Sequence, residues 1–234
     1  MNSGTLGVPS EMIGVEIRPL LRRVYFWMTV GVLLTAIVAL LTVTTPALLS
    51  LLQSPVIVFG ALILEFVLVV ILSAAIQRLS PTAASLLFFT YAGLLGFSLA
   101  GIFLVYTLNS IAAAFFSAAA LFGIMTLVGF LTRADLTRLG TYLVVGLVGM
   151  IVAMLVNLFL RSSMLELFVS LIGIVVFTGL TAYDTQKIAR MSRDPRLQAE
   201  GAAMGRLSIL GALALYLDFL NLFLLLLRLL GRRR

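Results

Sequence analysis

Long apolar runs, broken by short polar stretches, set the pattern of this chain. A helix that crosses a bilayer needs about 20 mostly apolar residues. Seven stretches reach that length: Val24–Thr45, Pro55–Ile76, Ala83–Thr107, Ile111–Leu131, Leu139–Leu160, Leu165–Tyr183 and Leu207–Leu230. Together they take up about two-thirds of the residues, which leaves no room for a soluble catalytic domain. A spanning β-barrel would instead show alternating segments of about 10 residues. The runs here are continuously apolar, so the pattern predicts an all-α integral membrane fold with seven transmembrane helices. Around it lie a polar N-terminal segment over 1–23, a membrane domain over 24–231 and a basic tail over 232–234.

The connections are short. Pro46 and Pro55 suit helix ends after the first span, and Ser80-Pro81 is a helix-start signal before the third. Thr107 to Ile111 reads as a tight turn carrying Asn109, and Asp135 with Gly140 punctuates the fourth connection. Only Asp184–Arg206 is long. It reads as a continuation of the sixth helix, a break near Asp194-Pro195, and an approach to the seventh.

Basic residues divide unevenly between the two sides of this topology. Eleven fall on the side of the N-terminus, in the Arg18–Arg23 segment, at Arg78, at Arg133 and Arg138, and along the long connection. The other side holds Arg161 and the four arginines from Arg228 to Arg234. The positive-inside rule therefore predicts a cytoplasmic N-terminus. Seven spans then put the Arg-rich tail outside. A six-span arrangement with a re-entrant last segment would bring that tail inside. The length of Leu207–Leu230 and the one-sidedness of the other loops favour seven. The first 15 residues lack the basic and apolar regions of a secretory signal, so Val24–Thr45 is expected to remain as a helix.

Composition agrees and narrows the chemistry. The 234 residues are 62% hydrophobic and 11% charged, with a mean hydropathy of +1.20. Soluble domains are about 45–50% apolar and about 25% charged. The net charge of +7 is spread over loops at the membrane face, so it does not read as nucleic-acid binding. With no Cys and no His there is no thiol nucleophile, no Ser–His triad, no zinc–cysteine site and no imidazole switch. No phosphate-cradling loop is present, no cofactor is implied, and an enzyme is not expected.

Nine carboxylates remain, and three stand out. Glu65 is central in the second span, Asp218 is central in the seventh, and Asp184 ends the sixth. A charge at the centre of a spanning helix costs a few kcal/mol on insertion scales, so such residues face the bundle interior and are functional candidates. On the seventh helix Gly211, Ala214, Asp218 and Asn221 share one stripe. That helix is apolar nearly all round, with one polar seam, which suits the centre of a bundle. If Asp184 and Asp218 meet in a low dielectric, they cannot both ionise cheaply and would share a proton. Oxygen ligands also suit a hard cation, so the two are possible Ca²⁺ contacts. A purely structural role, hydrogen-bonded within the packing, is open for all three, and weighs as much as a functional one for Glu65. Arg78 reads most simply as a snorkelling anchor. Gly93, Gly96, Gly101, Gly146, Gly149, Gly173 and Gly179 read as helix-packing surfaces.

Two C-terminal stretches add a resemblance. Ala182-Tyr183-Asp184-Thr185-Gln186-Lys187-Ile188 and Ala212-Leu213-Ala214-Leu215-Tyr216-Leu217-Asp218-Phe219-Leu220-Asn221-Leu222-Phe223 resemble the paired signature of the Bax inhibitor-1 family, also called the transmembrane Bax inhibitor motif family. Leu34-Thr35-Ala36, Glu65, Ser80-Pro81, Gly96-Phe97-Ser98-Leu99 and Asp135-Leu136 with Gly140 are similar to family positions too. The resemblance covers about Tyr25 to Gly231.

The resemblance implies a central last helix wrapped by two groups of three helices. It also implies a pH-sensitive Ca²⁺ leak channel of the bacterial inner membrane, gated by a hydrogen-bonded carboxylate pair at Asp184 and Asp218. Glu65, Asn221 and Arg78 would be supporting polar residues. The family's Arg latch falls about two residues short of Arg78. Other relatives modulate a membrane-bound protease, so a regulatory membrane protein is the competing expectation. Its handles would be the first 20 residues and Asp184–Arg206. The expected partners are then the lipid bilayer, a permeant cation and, on the second reading, a protease.

Overall fold

The structure is a computed structural model and describes residues 19–193 and 201–232. The break expected at Asp194-Pro195 and the polar segment before Pro19 lie outside these residues. The described elements are α1 (Pro19–Thr44), α2 (Pro46–Leu52), α3 (Pro55–Ala75), a 3₁₀ turn (Ile76–Arg78), α4 (Pro81–Leu99), α5 (Ile102–Val105), α6 (Leu108–Leu131), α7 (Thr137–Leu160), α8 (Ser163–Met191) and α9 (Gly201–Leu230). With α4 and α5 taken together, seven of these are long and apolar enough to cross a membrane. Backbone groups in hydrocarbon must be satisfied within the segment, and helices achieve this.

Local chemistry sets the helix ends. Pro46, Pro55 and Pro81 each occupy a first-turn position, where the missing N–H costs nothing. Ser80 Oγ accepts from the Ala83 amide at 3.1 Å, Thr107 Oγ1 from Ser110 at 3.3 Å and Ser162 Oγ from Leu165 at 3.3 Å. The Thr107 cap starts α6 at Leu108, three residues earlier than the hydrophobic run suggests. Arg161 ends α7 in the left-handed region at φ 50°, the one non-glycine residue there among those described. Asn157 holds that corner, its Oδ1 accepting from Ser162 N at 2.9 Å.

One expected boundary shifts for a visible reason. The third span is not one helix to Thr107. At Ala100–Gly101 the bonding tightens to three-residue spacing, with Phe103 N donating to Ala100 O and Leu104 N to Gly101 O. The sixth helix continues past Tyr183 to Met191, as expected, which carries Asp184 from the end of the apolar run into the helix.

Packing divides the other spans into two groups. On one side α1 and α3 pack on α4. On the other α6 and α7 pack on α8. Between them α9 touches α1, α4, α6 and α8. Its most apolar window is 67% buried, against 39% or less for the other six spans. Tyr216 stacks edge-on against Phe88 and Tyr91 of α4, while Phe219 does the same against Phe115 and Phe122 of α6. The outer helices turn large apolar side chains such as Val56, Phe66, Phe116 and Phe159 outward, which is stable only against lipid.

The path of α9 also decides between six and seven spans. Thr107 N donates to Arg232 O at 3.3 Å, and Arg232 N donates to Ser110 Oγ at 2.9 Å. Arg228 Nε lies 3.5 Å from Glu166 Oε1 at the start of α8. The end of α9 is therefore level with the α5–α6 and α7–α8 turns. Its start lies at the opposite end, where Gly205 backs onto Pro81. The last segment runs straight through and is not re-entrant.

Glycine positions separate into two kinds. A Cβ at Gly96 would come within 2.6 Å of the Thr35 carbonyl, at Gly173 within 2.7 Å of Met150 Sδ, and at Gly179 within 2.8 Å of Leu143. Gly93 and Gly149 face open space and Gly101 meets only its own turn, so these three are not packing surfaces. Gly129 (under Ala182) and Gly140 (under Tyr183) are close-approach sites that the sequence reading did not select. We expect Gly96→Ala to destabilise the folded protein by about 1–3 kcal/mol, because backbone rather than a flexible side chain blocks the methyl. Gly149→Ala should be neutral or stabilising. Thermal unfolding in detergent checks both.

Candidate functional site

The chemistry of two carboxylates depends first on where two helices put them. Asp218 is one of the polar positions of α9 and is 4% exposed. The stripe it belongs to faces other helices: a Cβ at Gly211 would sit 3.0 Å from Val24 of α1 and 3.2 Å from Ile188 of α8. Asp184 lies on α8, half-buried, one turn before that Ile188. The packing of α8 on α9 brings Asp184 and Asp218 within electrostatic range of each other. No hydrogen bond joins them among the described residues. Asp218 Oδ2 is buried without a partner, and Thr178 Oγ1 of α8 is the other such oxygen among the described residues. Buried polar atoms are nearly always paired, so an open carboxylate oxygen marks a place for a proton-bearing group, a water or an ion.

The remaining sequence candidates fall elsewhere. Asn221 donates its amide to the Leu217 carbonyl of its own helix at 2.8 Å. Arg78 is exposed at the end of the 3₁₀ turn and makes no ion pair among the described residues. The two ion pairs described are Arg190–Asp135 and Arg228–Glu166. Lys187 sits 5.9 Å over the Tyr183 ring, close enough to feel Asp184.

Glu65 belongs to a second polar cluster, in the α1–α3–α4 half. Ser98 Oγ donates to its Oε1 at 2.5 Å. Tyr91 and Tyr216 lie within its electrostatic range. Tyr216 shares a 2.6 Å hydrogen bond with Thr35 Oγ1, which also lies 2.9 Å from the Ala92 carbonyl. Tyr216 is the largest fully buried side chain in the described residues, and sequence reading passed over it as one more apolar position in a Leu-rich run. Tyr25 was missed likewise; its hydroxyl shares a 3.2 Å bond with Thr185, beside Asp184, and ties α1 to α8. The available signal was a hydroxyl inside an apolar helix, which needs a partner when buried.

A third polar group closes one end of the α6–α8 contact. Gln186 bridges the α6–α7 turn, donating to Ala134 O at 2.8 Å and accepting from Leu136 N at 3.0 Å. Arg190 lies 2.8 Å from Asp135 and donates to Gln186 Oε1 at 2.8 Å. Asp135 accepts from the Thr137 hydroxyl at 2.6 Å and the Thr137 amide at 2.9 Å. These bonds, with the Arg190 guanidinium, hold its carboxyl at about 2, well below the ordinary range. No group of three or more Asp, Glu, His or Cys gathers among the described residues.

A family model described as "Inhibitor of apoptosis-promoting Bax1" matches residues 17–234. An Escherichia coli K12 protein named "Inner membrane protein YbhL" is 46% identical over 213 residues, 91% of each chain. A Borreliella burgdorferi protein is 43% identical over 215 residues, 92% of each chain. A Rickettsia prowazekii protein is 43% identical over 220 residues, 93% of this chain and 91% of its own.

Two outcomes follow. Asp218→Asn keeps the shape and removes an open acidic oxygen, so its unfolding midpoint in detergent should not fall, whereas Tyr216→Phe should cost about 1 kcal/mol through the lost Thr35 bond. Asp135 is depressed in the folded state, so its stabilisation is present above the unfolded carboxylate value. It is lost as pH falls from about 4 toward about 2. Asp135→Asn should flatten the stability–pH profile across that window and lower stability at neutral pH, where the ionised carboxylate contributes in full.

Proposed function

The chain belongs to the Bax inhibitor-1 family, and on that premise we propose that it is a pH-sensitive leak pathway for cations, Ca²⁺ above all, gated by Asp184 and Asp218. One observation carries this reading. A carboxylate at the middle of the most enclosed helix keeps an oxygen without a partner, in electrostatic range of a second carboxylate on the neighbouring helix.

Two such groups are sensitive to a single proton. With one proton between them, O–H···O⁻ attraction draws α8 and α9 together. Adding or removing that proton replaces attraction with repulsion or with weaker neutral contacts, and the helices can part. A cation entering the gap would meet hard oxygen ligands. Two carboxylates are far fewer than the six to eight oxygens of a storage site, so the ion would be passed on and not kept. No catalytic step and no cofactor belong to this reading.

The membrane proposed is the bacterial inner membrane, supported by the name of the Escherichia coli relative. The end carrying Arg78, Arg133 and Arg190 would face the cytoplasm, together with the N-terminus, because basic loops are retained there. The alternative reading, modulation of a membrane protease, would use the first 20 residues and the 184–206 connection. Most of the former lies outside the described residues, and no described feature favours it.

Purified protein in Ca²⁺-loaded liposomes tests the channel reading. Flux should change with pH between about pH 5 and about pH 8, and Asp184→Asn and Asp218→Asn should each remove most of that change. No flux above empty liposomes, or an unaltered pH profile in both variants, would overturn it.

A further inference from the structure

A cavity of about 430 Å³ opens between the end of α6 and the end of α8, at the level of the α6–α7 turn. Three arginines from two separate stretches converge on it: Arg133 after α6, and Arg190 and Arg193 at the end of α8. Its other wall is apolar, with Phe130 and Leu131 at the close of α6. Both of these are exposed, Leu131 to 73%. Arg190 is partly neutralised by Asp135 at 2.8 Å. Arg133 and Arg193 are exposed and make no ion pair among the described residues. Guanidinium groups around a gap suit an anion, and their planar fork matches phosphate oxygens.

We propose that this cavity binds the phosphate headgroup of an anionic phospholipid, with Arg133 and Arg193 on the phosphate and Phe130 and Leu131 along the start of the acyl chains.

Basic residues at the ends of spanning helices are common for reasons of topology alone. The arrangement here goes further. Arg78 and Arg138 lie at the same end of the bundle and do not line the cavity, whereas the three that do come from segments about 60 residues apart in sequence. A free phosphate would have no use for the exposed Leu131 and Phe130 beside the charges. A lipid would, since that wall belongs to a spanning helix and continues into the lipid-facing surface. Gln186, buried at the back of the cavity, fixes the α6–α7 turn against α8, so the opening is held by structure and not by loop chance. Bound lipid would lie against the helix that carries Asp184, two turns from Arg190.

Native mass spectrometry of the full chain in detergent reads this directly. Phosphatidylglycerol should bind and phosphatidylcholine should bind much more weakly. The pair Arg133→Gln with Arg193→Gln should lower phosphatidylglycerol affinity about 25-fold, at about fivefold for each charge, and each single variant should show its own fivefold. Arg138→Gln, outside the cavity, should leave affinity unchanged. Inorganic phosphate in molar excess should not displace the lipid. Displacement by phosphate would make this a site for soluble anions and overturn the lipid assignment. Undiminished phosphatidylglycerol binding in the single and double variants, or equal loss in Arg138→Gln, would reduce the arginines to topological anchors and overturn the site.

Discussion

A carboxylate cannot face hydrocarbon, and this one constraint organises the bundle. Asp218 stands in the middle of a 30-residue apolar helix, where exposure to lipid would cost a few kcal/mol. Surrounding that helix with others removes the cost. The same helix carries Tyr216, whose hydroxyl also needs a buried partner and finds Thr35. With both positions enclosed, α9 has little lipid face left over most of its length, and α1, α4, α6 and α8 share its circumference. The outward surfaces of the six other spans then become the apolar exterior, as Val56 and Phe159 show.

Much of this was legible in the chain. Run length gave the seven spans because hydrocarbon thickness fixes how many residues a helix needs. Asp218 with its small-residue stripe pointed to the enclosed helix, since polarity in such a run has few places to go. What stayed hidden depends on neighbours distant in sequence. Nothing local distinguishes Gly96, pressed on the Thr35 carbonyl, from Gly149, which faces open space. The helix breaks at Ala100–Gly101 although the hydropathy continues, because hydropathy does not report hydrogen-bond spacing. For the site, the residues were readable and their relation was not. The approach of Asp184 to Asp218 is a property of how α8 packs on α9. Tyr25 and Tyr216 escaped notice because a single hydroxyl barely lowers the apolar character of a run.

The polar groups inside the bundle are also unequal in how completely they are matched. Thr35, Tyr216, Ser98 and Glu65 engage one another in the α1–α3–α4 half. Gln186, Arg190 and Asp135 close the α6–α8 end with a full set of bonds. The Asp184–Asp218 pair has no such closure. Among the described residues, Asp218 Oδ2 and Thr178 Oγ1 are the buried side-chain oxygens left without a partner, against a background in which such atoms are nearly always paired.

Tyr216 and Asp218 are two residues apart on α9, about 200° around its axis. One is fastened to α1 and stacked on α4; the other looks toward α8. The helix is therefore keyed to the first half of the bundle at Tyr216, like a spindle in its housing, while Phe219 stacks on Phe115 and Phe122 of the second. Turning it would break the Tyr216–Thr35 bond before it relieved anything at Asp218. Asp218 is thus held at a fixed angle toward α8 by a bond on the opposite side of its own helix.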